Sequence, residues 1–119
     1  MRKLIGVIII VISLCFTSAY CGEITRHYNK SGKYEGYSET NNGITRYYDD
    51  TGRYQGYSEE HNGITRYYDR AGGYKSYSEQ SGDNERYYNS SGGYKGYSTE
   101  SGSVERYYNK EGKYKGYSE

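Results

Sequence analysis

Along most of this chain, apolar and polar positions alternate in short runs broken by glycine. From residue 44 the run Ile44-Thr45-Arg46-Tyr47-Tyr48 leads into Asp49-Asp50-Thr51-Gly52. Next come Arg53-Tyr54-Gln55-Gly56-Tyr57-Ser58 and then Glu59-Glu60-His61-Asn62-Gly63. Short runs of β-branched and aromatic residues bounded by such turns predict strands over 44–48 and 53–58. The pattern repeats every twenty residues: Ile24, Ile44, Ile64, Asn84 and Val104 share one position, and Tyr28, Tyr48, Tyr68, Tyr88 and Tyr108 another. A period of that length signals repeated supersecondary units. The units are 24–43, 44–63, 64–83 and 84–103, with a shorter fifth from 104 to 119. Recurrent glycine and the spacing of the tyrosines argue against helix. The expected fold is all-β: antiparallel β-hairpin repeats, five units of about twenty residues, forming an open meander or a β-solenoid-like sheet.

Turn chemistry constrains the register and exposes a conflict. Asn42-Gly43 and Asn62-Gly63 predict two-residue type I′ turns. Asp49-x-x-Gly52 predicts a type I turn followed by a glycine bulge. The first turn pairs residues of opposite parity and the second residues of equal parity, so alternating them would exchange the two faces at every unit. A uniform sheet therefore requires one turn to take another geometry. A two-residue loop at Asp49 would set Tyr47 opposite Tyr54 and Thr45 opposite Gly56. A bulged loop would set Tyr48 opposite Tyr54 and Arg46 opposite Gly56. Both remain open, and in both each face carries tyrosine. The later units drift: Gly82 and Gly102 stand one place earlier than Gly43 and Gly63, Ser76 replaces a glycine, and Glu85 and Glu105 replace threonine.

Composition sharpens the picture. The chain has 20 tyrosines and 17 glycines but no tryptophan or proline. Beyond residue 21 the aliphatic residues are Ile24, Ile44, Ile64, Ala71 and Val104, too few for an ordinary core. So little aliphatic content would suit a disordered chain, whereas dense tyrosine and fixed turn residues favour strands. Arg2 and Lys3 precede an uncharged apolar run over 4–16, and Thr17-Ser18-Ala19-Tyr20-Cys21 follows. Residues 1–21 read as a signal peptide, cut after Ala19 or Cys21. The expected location is secreted, periplasmic or at the cell envelope. Membrane attachment would come only through an uncleaved leader or a lipid on Cys21. Residues 22–119 form the tyrosine-rich repeat domain, which has no cysteine with which to bridge its units. Without Arg2 and Lys3 the basic and acidic residues nearly balance and are interspersed, which argues against nucleic acid as a partner.

No constellation of residues suits catalysis, so the chain reads as a non-enzyme requiring no cofactor or metal. His27 stands at a tyrosine position and His61 in a turn. Most acids, Asp49, Asp50 and Asp69 among them, sit where backbone turns use them. The recurrent Arg26, Arg46, Arg66, Arg86 and Arg106 can stack on neighbouring tyrosines in place of an aliphatic core. Two rows of tyrosine are the candidate ligand contacts. One is Tyr47, Tyr67, Tyr87 and Tyr107, with His27 as its odd member; the other is Tyr57, Tyr77, Tyr97 and Tyr117.

The stretch Tyr48-Asp49-x-x-Gly52-Arg53, continuing through Ser58 and Gly63 to Arg66-x-Tyr68-Asp69, resembles the YD repeat of Rhs-type bacterial proteins. The likeness covers nearly all of 22–119, although Asn29, Asn89 and Asn109 stand where that repeat has aspartate. Rhs-type repeats wind large β-shells; five units are too few for such a shell, and that role is not carried over. Asn62-Gly63-x-x-x-Tyr67-Tyr68-Asp69 is similar to the choline-binding or cell-wall-binding repeat, whose cages use the tryptophan this chain lacks. Tyr-x-Gly-Tyr is also similar to MORN-type repeats. These likenesses imply strings of β-hairpins. The expected function is an exported, non-catalytic binding or adhesion module at the cell envelope, with a glycan or cell-wall polymer as partner. The alternative is a structural repeat that self-associates through open sheet edges.

Overall fold

A computed structural model describes residues 22–119; the proposed leader lies outside the described residues. Each unit contributes one hairpin. The strands are β1 (Glu23–Asn29), β2 (Tyr34–Asn41), β3 (Ile44–Asp49), β4 (Tyr54–His61) and β5 (Ile64–Asp69). They continue as β6 (Tyr74–Ser81), β7 (Asn84–Asn89), β8 (Tyr94–Ser101), β9 (Val104–Asn109) and β10 (Tyr114–Ser118). Each pairs antiparallel with its sequence neighbours, and β10 pairs with β1, so the hairpins close into a ten-stranded barrel. The hairpin repeats are as expected, but the open sheet is not. Closure gives the sheet an inside, which an open meander lacks, and removes the free edges on which self-association would depend.

The parity conflict is resolved by a second irregularity rather than by a change of turn. Asn42 and Gly43 both have positive φ, at 53° and 78°, as a type I′ turn requires. At the other end, Gly52 N–H donates to Asp49 O and Asp49 N–H to Arg53 O, so the glycine-bulged turn also forms. Tyr48 consequently faces Tyr54, but the next pair is Tyr47 with Gly56, not Arg46 with Gly56. Gln55 is left over between them as a bulge, and this extra residue cancels the parity change of the turn. The same shift occurs in every hairpin, so each strand keeps one face inward throughout. The early glycines of the later units are a turn swap. Gly82 and Gly102 have φ of 61° and 64°, while Asp83 and Ser103 lack positive φ, which fits type II′.

Gly56 sits beside the bulge at φ 142°, and a Cβ there would lie 2.2 Å from Tyr68 O on the next strand. Gly36, Gly96 and Gly116 repeat both features. Ser76 occupies the same register without positive φ, so the third unit reaches the pairing by another backbone path.

The seam reproduces the joint between units. His27 pairs with Ser118, Tyr28 with Tyr117 and Asn29 with Gly116, as Tyr67 pairs with Ser58, Tyr68 with Tyr57 and Asp69 with Gly56. Arg26 and Glu119 exchange two backbone hydrogen bonds of 2.7 and 3.0 Å beyond the last pair.

The expected consequence is local. Gly56→Ala should destabilise the barrel by about 1–3 kcal/mol or more, because left-handed strain adds to a backbone clash. Ser76→Ala should stay within about 0.5 kcal/mol of the parent. Urea unfolding of the two variants measures the contrast; equal costs would remove the special role of the glycine row.

Candidate functional site

Inward-facing residues form two stacked rings. The first contains His27, Tyr47, Tyr67, Tyr87 and Tyr107, each reaching a serine on the following strand. The phenol-to-serine distances are 3.0 Å for Tyr47–Ser58, 3.2 Å for Tyr67–Ser78, 3.1 Å for Tyr87–Ser98 and 3.0 Å for Tyr107–Ser118. His27 Nε2 makes the equivalent contact to Ser38 at 2.9 Å. Neighbouring rings are tilted against one another with centroids 6.2–6.4 Å apart from His27 to Tyr107. The five serines are buried, at 0–3% exposure, and the aliphatic residues contribute no buried core. Tyrosine fits this lumen because a ten-stranded barrel is wider than the eight-stranded size that ordinary side chains fill. Its hydroxyl then needs a partner, and serine supplies one.

The second ring lies toward the Asn-Gly turns and contains Thr25, Thr45, Thr65, Glu85 and Glu105. Thr45 meets Thr40 hydroxyl to hydroxyl at 2.8 Å. In the last two units the glutamates extend the serine contacts. Ser98 Oγ donates to Glu105 Oε1 at 2.6 Å, and Ser78 Oγ donates to Glu85 Oε1. Since each serine has one proton, Tyr67 and Tyr87 donate to these serines, giving two phenol–serine–carboxylate chains. Loss of solvation holds the Glu85 carboxyl above its ordinary range, with the Ser78 hydroxyl opposing and the Glu105 charge adding to the rise. Burial likewise pushes up the phenols of Tyr47, Tyr67, Tyr87 and Tyr107 and pushes down the His27 imidazole.

Outside, the second tyrosine row is part of a larger surface. Tyr57 stacks on Tyr68 with centroids 4.8 Å apart and planes 14° from parallel, and Tyr74 meets Tyr68 edge-on at 5.9 Å. Four further clusters repeat this: Tyr37–Tyr48–Tyr54, Tyr77–Tyr88–Tyr94, Tyr97–Tyr108–Tyr114 and, across the seam, Tyr117–Tyr28–Tyr34. The third member of each is the most open, with Tyr74 at 45% exposure. Beside the clusters runs a belt of exposed arginines. Arg46 lies opposite Tyr57 on one neighbouring strand and Glu39 on the other.

The two candidate rows are therefore on opposite faces. Tyr47, Tyr67, Tyr87 and Tyr107 are enclosed and hydrogen-bonded, whereas Tyr57, Tyr77, Tyr97 and Tyr117 stand on the outer surface. The sequence reading missed the row Tyr34, Tyr54, Tyr74, Tyr94 and Tyr114, which completes the outer clusters; its strict spacing was the available signal. The turn acids act structurally. Asp49 Oδ1 accepts from Thr51 N–H and Arg53 N–H, both at 2.9 Å, and Asn29 Oδ1 accepts from Ser31 and Lys33 in the same way. Only a side-chain oxygen is needed, which is why asparagine substitutes freely for aspartate. Among the described residues no group of acids, histidines or cysteines is placed to hold a metal ion. Comparison with family models, curated proteins and solved structures yields no match.

Two inward groups should give opposite pH dependences. Glu85 has a folded pKa above its free value of 4.5, so its favourable contribution is complete below pH 4.5 and is lost as pH rises through the folded value. Glu85→Thr should raise the melting temperature at pH 7 and give no such gain at pH 4. His27 has a folded pKa below 6.5, so its contribution is complete above pH 6.5 and is lost as pH falls. His27→Tyr should remove that acid loss, measured by melting at pH 5 and pH 7.5.

Proposed function

We propose that this protein is a non-catalytic binding module whose outer tyrosine clusters grip an extended polymer, a glycan or cell-wall chain being the partner they suit. The observation supporting this is the repetition of one exposed three-tyrosine cluster at all five joints of a closed scaffold. Aromatic faces with polar tips meet ligands that are apolar on one side and hydroxylated on the other. Identical weak sites spaced around a rigid body gain strength by engaging one polymer together. The likeness to cell-wall-binding repeats and the apolar leader support an exported module at the cell envelope. No helix among the described residues is long and apolar enough to cross a membrane. The outer face of the barrel itself suits water. Arg26, Arg46, Arg66, Arg86 and Arg106 project from it within the strands, and each would cost about 2–4 kcal/mol at a bilayer midplane.

The two tyrosine rows allow a direct test by pull-down on purified cell-wall polymer and glycan beads. Tyr57→Ala alone should weaken binding by about twofold, since four clusters remain. Combining Tyr57→Ala, Tyr77→Ala and Tyr97→Ala should abolish it while the near-ultraviolet circular dichroism of the inner ring persists. Tyr47→Ala with Tyr67→Ala should unfold the barrel. Retained binding by the outer triple variant would sink the proposal.

A further inference from the structure

The end of the barrel at the Asp-x-x-Gly turns carries charged residues that belong to none of the outer clusters. The five bulge residues, Glu35, Gln55, Lys75, Lys95 and Lys115, stand at one rim. Bulges at barrel rims re-aim a side chain away from the regular alternation. Lys95 and Lys115 line a cavity of about 300 Å³ together with the inner Tyr67, Tyr87 and Tyr107 and, on its outer side, Tyr97 and Tyr108. The phenol oxygens are engaged with Ser78, Ser98 and Ser118, deeper toward the second ring. What the tyrosines turn toward this mouth is therefore ring carbon. The void persists because the inward position before each bulge pairing carries little or no side chain: Gly96 and Ser76 line its wall. The opposite mouth differs in sign, with Glu60, Glu85 and Glu105 facing the lumen there. A chain of near-zero net charge is thus polarised along the barrel axis.

We propose that the lysine-rimmed mouth binds a small organic anion, an aromatic body resting on the tyrosine floor and one acid group meeting Lys95 and Lys115. Charge complementarity selects the acid. Two cations converging on one tyrosine-lined recess attract an anion more strongly than scattered surface lysines do. The tyrosine carbons select the body, since aromatic rings pair favourably with one another in offset or edge-to-face geometry. The cavity volume lies at the lower end of the range for small-molecule sites. The carboxylates of the far mouth would repel the same ligand, so it enters from the lysine side and stops at the tyrosine ring.

The probe is 8-anilinonaphthalene-1-sulfonate, followed by fluorescence on the protein with its near-ultraviolet circular dichroism intact, and N-phenyl-1-naphthylamine is its uncharged counterpart. The sulfonate should bind saturably at one site, and more weakly as salt rises. Lys95→Gln with Lys115→Gln should weaken the sulfonate by about tenfold or more and leave the uncharged probe unchanged. Ser76→Leu should block both probes by filling the recess from the one position in this row whose backbone is not left-handed. If that variant fails to fold, the lysine pair decides alone. Absence of saturable binding, or equal sulfonate affinity in the lysine variant, overturns the proposal. Loss of sulfonate binding in the Tyr57→Ala, Tyr77→Ala double variant, which leaves every residue lining this cavity in place, would also overturn it, by moving the site to the outer face. Polymer binding at the outer clusters is measured separately, so either reading can fail without the other.

Discussion

A phenol reaching a serine hydroxyl across one strand is the contact on which the barrel depends. Ten strands enclose more space than aliphatic side chains can fill, and a void there would forfeit the packing that offsets chain entropy. Tyrosine is long enough to enter that space, but it brings a polar atom that cannot remain bare. The serine on the next strand meets this need in four units and partners the His27 imidazole in the first, at almost no exposure throughout. Among the described residues no buried side-chain nitrogen or oxygen lacks a partner. Interior stability thus comes from aromatic area and closed hydrogen bonds together, and neither alone would suffice.

The repeats also separate scaffold from variation. The positions of Tyr48, Tyr54, Tyr57 and Ser58 hold the same residue in all five units, and these make the outer clusters and the inner serines. The positions of Thr45 and Gln55 change from unit to unit, and they line the two mouths. Threonine becomes glutamate at one end, while glutamate and glutamine give way to lysine at the other. A closed ring tolerates such drift because its wall is held by the residues that do not change.

Much of this was legible in the residues. Turn chemistry at Asn42-Gly43 and at Asp49-x-x-Gly52 fixes the hairpins and the unit boundaries, since few other backbones suit those residues. The inside of the barrel was not legible, because tyrosine occupies both faces and a two-residue period cannot say which is buried when both are aromatic. The register was hidden at Gln55, whose extra place in the strand leaves no mark except the glycine after it. Closure was hidden for a different reason. It depends on the accumulated curvature of all ten strands and on pairing between residues as distant as Tyr28 and Tyr117, which no local pattern encodes. The few aliphatic residues, too sparse for a core, form none, and Ile24 is 52% exposed.

The seam has a topological corollary. Gly22 occupies the repeat position of Gly82 and Gly102, and Glu119 that of Thr99. Between Thr99 and Gly102 the fourth unit has only Glu100 and Ser101, so a linker of the same length would join Glu119 to Gly22 in a turn like its neighbours. The ring then has no privileged origin. Circular permutants opened at any of the five Asp- or Asn-headed turns would encode the same wall of tyrosines in a different chain order.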